Sequence, residues 1–149
     1  MRKYWTQKDW LDKKKAKNFD ELAEVALRII KRMPQPLEQV CGAISSGGSG
    51  TIEANLKIFK KHIRDLAKEG RNIFDQMPFE EEMDRIEKEF YESRDQARDD
   101  ILNKFYLRIF ESGLIKKLHF IPNWKSSIGA RWERKTAKKL GIKIKDIKN

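Results

Sequence analysis

Residues 37–69 constrain this chain more tightly than any other stretch. Leu37 to Ser45 reads as a strand, with Val40, Cys41, Ala43 and Ile44 small or β-branched enough for a sheet covered on both faces. It breaks into Ser45-Ser46-Gly47-Gly48-Ser49-Gly50, and Thr51 to Glu69 then reads as a helix. Its apolar residues Ile52, Leu56, Phe59, Ile63 and Leu66 step by four, three, four and three, and Gly70 ends it. A doubly covered strand feeding an amphipathic helix through a glycine turn is the building unit of a parallel α/β sheet. Asn72–Met77, closed by Pro78, reads as a second strand and Lys117–Ile121 as a third. Ile142-Lys143-Ile144 reads as a short edge strand alternating with lysine. The expected fold is an open parallel sheet of about four to five strands with right-handed crossovers.

Two segments stand outside that pattern. Residues 1–36 read as an N-terminal helical extension, and 37–149 as a single α/β domain. In the extension Thr6 is placed to cap a short helix. Asn18 caps a clearer one, with Phe19, Leu22, Val25, Ala26, Ile29, Ile30 and Met33 on one face. Trp5 and Trp10 require burial, with a partner subunit as one place for it. Residues 80–111 read as one or two charged helices with Met83, Ile86, Phe90, Ile101, Phe105 and Ile109 as sparse apolar contacts.

Charge narrows the partners. The net charge is +10, yet residues 80–100 carry ten acids against four bases. From Lys116 onward there are eleven bases and two acids, which suits a phosphorylated ligand. The bases are scattered around whole helices rather than gathered on one face, so nucleic acid is not the expected partner and most of this charge reads as solvated surface. No apolar run reaches membrane-spanning length and no signal-peptide core opens the chain, which makes a cytoplasmic protein the expectation. Cys41 is the only cysteine, so neither an intrachain disulfide nor a zinc cluster is expected.

The clearest chemical candidate is Glu133, in a helix expected from the pair Ser126-Ser127 to Gly141. Its neighbours at three and four positions are Gly129, Ala130, Thr136 and Ala137, so the helix offers it no i,i+4 cation. The serine pair can cap the helix and leaves its N-terminus facing an anion. The glycine loop is the second candidate, since glycines let N–H groups turn inward on a phosphate. Neither the P-loop nor the dinucleotide fingerprint fits it, because Gly48 follows Gly47 and Glu53 stands where a third glycine belongs. Glu53 reads as a helix-start residue behind a Gly50 cap, and Asp75 as a group at a strand end that binds ligand or braces the turn. His119 reads as a core histidine bonded to a neighbour, His62 as surface and Trp132 as core. Trp124 is placed to stack on a base.

Val40-Cys41-Gly42-Ala43-Ile44-Ser45 with its glycines, followed by Ser127-Ile128-Gly129-Ala130-Arg131-Trp132-Glu133, resembles the first loop and the serine–glycine–glutamate motif of the nucleoside 2-deoxyribosyltransferase-like superfamily. The resemblance spans about residues 37–147 and is closest to the 2'-deoxynucleoside 5'-monophosphate N-glycosidase branch. It implies a flavodoxin-like, Rossmann-like sheet, a homo-oligomer whose neighbouring subunits complete the sites, a nucleoside or nucleotide as ligand, and no metal or other cofactor. It further implies Glu133 as nucleophile, Gly42 and Ser45 lining sugar and phosphate, Gly47, Gly48 and Gly129 around the phosphate, and Ser127 binding it. The family also carries an aspartate where this chain has Leu107, Arg108 and Ile109, and the candidates to substitute for it are Asp75, Glu111 or a residue of a neighbouring subunit. Gly47-Gly48-Ser49-Gly50-Thr51 also resembles the glycine loop of the cytokinin-activating phosphoribohydrolases, whose loop comes late in the fold. The expected activity is cleavage or transfer at an N-glycosidic bond. A catalytically silent nucleotide-binding module of the same fold is the alternative, and a basic nucleic-acid-binding protein a lower one.

Overall fold

Helices come first along the chain, because the first segments carry caps and 3.6-residue apolar spacing. A computed structural model describes residues 1–44 and 47–148. Thr6 caps α1 (Gln7–Lys15) through a reciprocal pair of bonds with Asp9. Asn18 caps α2 (Phe19–Arg32) by accepting from the Glu21 N–H. Contacts cluster the chain into two units: residues 1–34 with 76–114, and residues 35–75 with 115 onward.

The first unit is helical. It joins α1 and α2 to α4 (Met77–Phe90), α5 (Arg94–Asp100) and α6 (Leu107–Glu111), the last two linked by a π-helical stretch, Ile101–Tyr106. The segment read as charged helices within the α/β domain therefore makes its contacts with the N-terminal helices. Phe19, Leu22, Ile29 and Ile30 of α2 are buried with Phe79, Ile86, Phe105 and Ile109. Trp5 finds its burial inside this unit, stacked on Trp10 at 4.1 Å and tilted against Phe79 at 5.2 Å.

Not all of the charge here is solvated. Lys13 and Glu82 form an ion pair at 3.2 Å with both side chains buried, and Arg85 holds the second Glu82 oxygen at 2.7 Å. Asp9 is buried beside Arg28 and Arg32. Burial pushes the Asp9 carboxyl up, but hydrogen bonds from Arg32 and Thr6 outweigh it and hold it below its ordinary range.

The second unit is mixed α/β. Its sheet has three parallel strands in the order β1 (Leu37–Cys41), β2 (Ile115–Phe120), β3 (Lys143–Asp146). That is fewer strands than expected. The run 72–77 gives only an isolated bridge, Ile73 to Glu38, on the free edge of β1. The pairing stops there because Gln76 is already the cap of α4, whose second residue is Pro78. Helices α3 (Ile52–Lys68) and α7 (Ile128–Leu140) flank the sheet. No helix of the described residues is long and apolar enough to cross a membrane.

Candidate functional site

Register brings the three strands to a common carboxyl edge: Cys41 pairs with Phe120, and Phe120 with Asp146. Open parallel sheets bind ligands at this edge. The loops leaving Cys41 and Phe120 are tied to each other. The Gly48 N–H donates to Ser126 Oγ at 2.7 Å, and that hydroxyl donates on to the Asn123 carbonyl at 2.7 Å. Gly47 and Gly48 both have positive φ. A Cβ on Gly47 would lie 2.3 Å from the Ser126 carbonyl oxygen, and one on Gly48 2.5 Å from Asn55 Oδ1. Only glycine fits this approach.

Asn55 organises the loop from below, and sequence reasoning missed it. The side chain is buried on α3 and makes four hydrogen bonds: Nδ2 to the carbonyls of Ile44 and Gly47, Oδ1 from Ser49 N–H and Oγ. The available signal was a polar residue four positions before Phe59, on the buried face of its helix. The N–H groups of Ser49 and Gly50 are thus spent on Asn55 Oδ1 and the Gly47 carbonyl. Thr51, not Gly50, caps α3 by accepting from the Ala54 N–H, which puts Glu53 at the second helical position. Ser45 lies outside the described residues.

A cavity of about 620 Å³ opens at the carboxyl edge. Gly48, Phe120, Trp124, Lys125, Ser126 and Asp146 line it together with Pro122, Asn123 and Ile147. Two sequence candidates therefore meet here, Gly48 and Trp124. Ser127 and Gly129 stand beside it in sequence but not in its lining. Ser127 Oγ is buried as the cap of α7, accepting from the Ala130 N–H at 3.1 Å. Gly42 is packed so closely on Ile121 that an added Cβ would lie 2.9 Å from it.

Glu133 does not line this cavity. Ala130, Glu133, Thr136 and Ala137 form the buried face of α7, so the small residues around Glu133 are a packing surface. Two of its partners come from strand β1. Glu133 Oε2 accepts from the Cys41 thiol at 3.2 Å and lies 3.4 Å from Gln39 Nε2. Burial first, and the Glu133 charge second, push the Cys41 thiol well above its ordinary range. Cys41 is therefore a neutral S–H donor rather than a thiolate. Gln39 Oε1 is buried with no hydrogen-bond partner among the described residues, beside this carboxylate.

The remaining candidates are structural or lie elsewhere. His119 Nε2 meets Glu38 Oε1 at 2.6 Å, and Arg71 holds the same carboxylate at 3.1 Å. Burial holds the His119 ring below its ordinary pKa against the pull of Glu38. Asp75 follows the Ile73 bridge, ahead of α4, and is not part of the cavity lining. Leu107, Arg108 and Ile109 belong to α6, where Ile109 is buried and Arg108 pairs with Glu24 and Asp20. Trp132, expected in the core, is only half-buried. Among the described residues no group of three His, Cys, Asp or Glu side chains is placed to hold a metal ion.

No protein-family model matches this chain, and no curated protein or solved structure is significantly similar to it.

Proposed function

We propose that the chain cleaves or transfers at the N-glycosidic bond of a deoxynucleoside or its 5'-monophosphate, on a Rossmann-like, flavodoxin-like sheet, with Glu133 as nucleophile. The observation that carries this reading is the buried Glu133 carboxylate, held by the Cys41 thiol at the end of the strand that feeds the glycine loop. Burying a carboxylate is costly, and desolvation strengthens it as a nucleophile toward a carbon gaining positive charge. In the reaction a Glu133 oxygen attacks the anomeric carbon, the C–N bond breaks, and its electron pair leaves with the base, which takes up a proton. Water or a second base then displaces the carboxylate, giving net retention.

Chromatographic detection of free base after incubation with each deoxynucleoside and its monophosphate tests this. Base release by the wild type that is lost in Glu133→Gln and Glu133→Ala is the expected result. Release at the wild-type rate from either variant overturns the assignment. A silent nucleotide-binding module is the second reading, favoured by the position of Glu133 outside the cavity lining. It predicts thermal stabilisation by a nucleotide with no base released.

A further inference from the structure

Three side chains of the carboxyl-edge cavity have no part in that bond cleavage: Trp124, Lys125 and Asp146. Arg134 arranges two of them. Its guanidinium lies 4.2 Å from the Trp124 ring centroid and 5.0 Å from that of Phe120. It also pairs with both Asp146 oxygens, at 2.7 and 3.2 Å. Trp124 lines the cavity and Arg134 does not, so the guanidinium packs on the indole from outside the lining, while the Phe120 ring meets it edge-on at 5.6 Å. A guanidinium fixed by a carboxylate makes a stiff backing for a stacking platform.

Asp146 is similarly set up. Each of its oxygens accepts from Arg134 and retains a lone pair. The hydrogen bond from Arg134 holds the carboxyl below its ordinary range, so at neutral pH it accepts and cannot donate. Lys125 Nζ stands 5.9 Å from the Trp124 centroid on an exposed stem, a cation at the rim of the same space. The cavity volume of about 620 Å³ falls in the range of small-molecule sites.

We propose that this cavity is the base-binding subsite for the ligand and that it prefers a base with an exocyclic amino group over thymine or uracil. The ring stacks on Trp124, the amino group donates to Asp146, and Lys125 meets the ligand's negative charge. This rests on the reaction proposed above and extends it to substrate choice. Adenine, cytosine and guanine each carry an N–H₂ donor for an acceptor-only carboxylate. Thymine and uracil offer a single ring N–H between two carbonyl oxygens, which a carboxylate repels.

Calorimetric titration of the Glu133→Gln protein with dAMP, dCMP, dGMP and dTMP tests the proposal without consuming ligand. The tightest amino-bearing nucleotide is expected to bind about tenfold or more tightly than dTMP, the worth of one hydrogen bond to a charged group. Adding Asp146→Asn is expected to bring the four within about threefold, whereas Asp146→Glu retains the preference. Trp124→Leu is expected to weaken all four by about tenfold, with Trp124→Phe recovering most of it. Equal affinities for the four, an unchanged preference in Asp146→Asn, indifference to Trp124→Leu, or no binding of any of them each overturns it. The reaction fails separately: the binding pattern without base release by the wild type sinks the glycosidase reading and leaves the subsite standing. Base release that is indifferent to Trp124 and Asp146 sinks the subsite alone.

Discussion

Removing the Asn55 side chain tests how the glycine loop is held. Asn55→Ala deletes two donated and two accepted hydrogen bonds at 2.8–3.1 Å. A net value of about 1 kcal/mol per bond would give about 4 kcal/mol. Ser49 is exposed, however, so water takes over both of its lost bonds and their share shrinks. The carbonyls of Ile44 and Gly47 are only partly reached by solvent and keep most of theirs. The expected loss is about 2–3 kcal/mol, near a 1 M shift of a urea midpoint for a chain of this size. Asn55→Asp sharpens the test. It keeps both acceptors for Ser49 but turns a carboxylate toward two carbonyl oxygens, so it should be no more stable than Asn55→Ala. Urea unfolding followed by tryptophan fluorescence measures both. An Asn55→Ala midpoint within about 0.3 M of the wild type would refute the view that this side chain holds the loop.

Three other outcomes follow from the geometry. Gly48→Ala should destabilise by about 2 kcal/mol or more, because φ is +65° and the new methyl meets Asn55 Oδ1 at 2.5 Å and Ala43 Cβ at 2.7 Å; a thermal melt unchanged from the wild type would contradict it. Lys13→Met should cost about 3 kcal/mol by stranding buried Glu82 with Arg85 alone, whereas Lys13→Met with Glu82→Leu should recover much of that; a double variant as unstable as the single one would refute the account. Burial, and then Asp84, push the half-buried Glu80 carboxyl from 4.5 up to about 7. The folded protein binds that proton more tightly than the unfolded chain, so the stabilisation is full below about pH 4.5 and lost as pH rises through 7. Glu80→Gln should therefore be more stable than the wild type at pH 8 by about 2 kcal/mol, with a flatter profile between pH 5 and 8; parallel profiles would exclude it.

What was legible in the sequence was local. The caps Thr6, Asn18 and Ser127 and the Gly141 stop are each determined by residues within a turn of one another, and each is found, whereas of the expected α3 stripe only Phe59 and Ile63 are buried and Ile52 is exposed. What was illegible depends on distant partners. The run 72–77 carries no sign that its pairing with β1 is limited to one bridge, Ile73 to Glu38. The pairing of Lys13 with Glu82 is invisible in sequence because nothing within a helix turn of either reveals a partner 69 residues away. Asn55 interrupts an apolar face, and its purpose is visible only once Ile44, Gly47 and Ser49 fold over it.

Glu133 shows the same limit at the point that matters for chemistry. Within its helix it has no cation at three or four positions, which made it the clearest chemical candidate. Folding brings β1 to it: the thiol of Cys41 and the amide of Gln39, 92 and 94 residues earlier, reach the carboxylate. The thiol is kept protonated by its burial and by the carboxylate it serves, so it donates without competing as a nucleophile. The residue pattern on α7 thus singled out Glu133 by what its own helix lacks, and the fold adds partners from the sheet that no spacing within α7 could show.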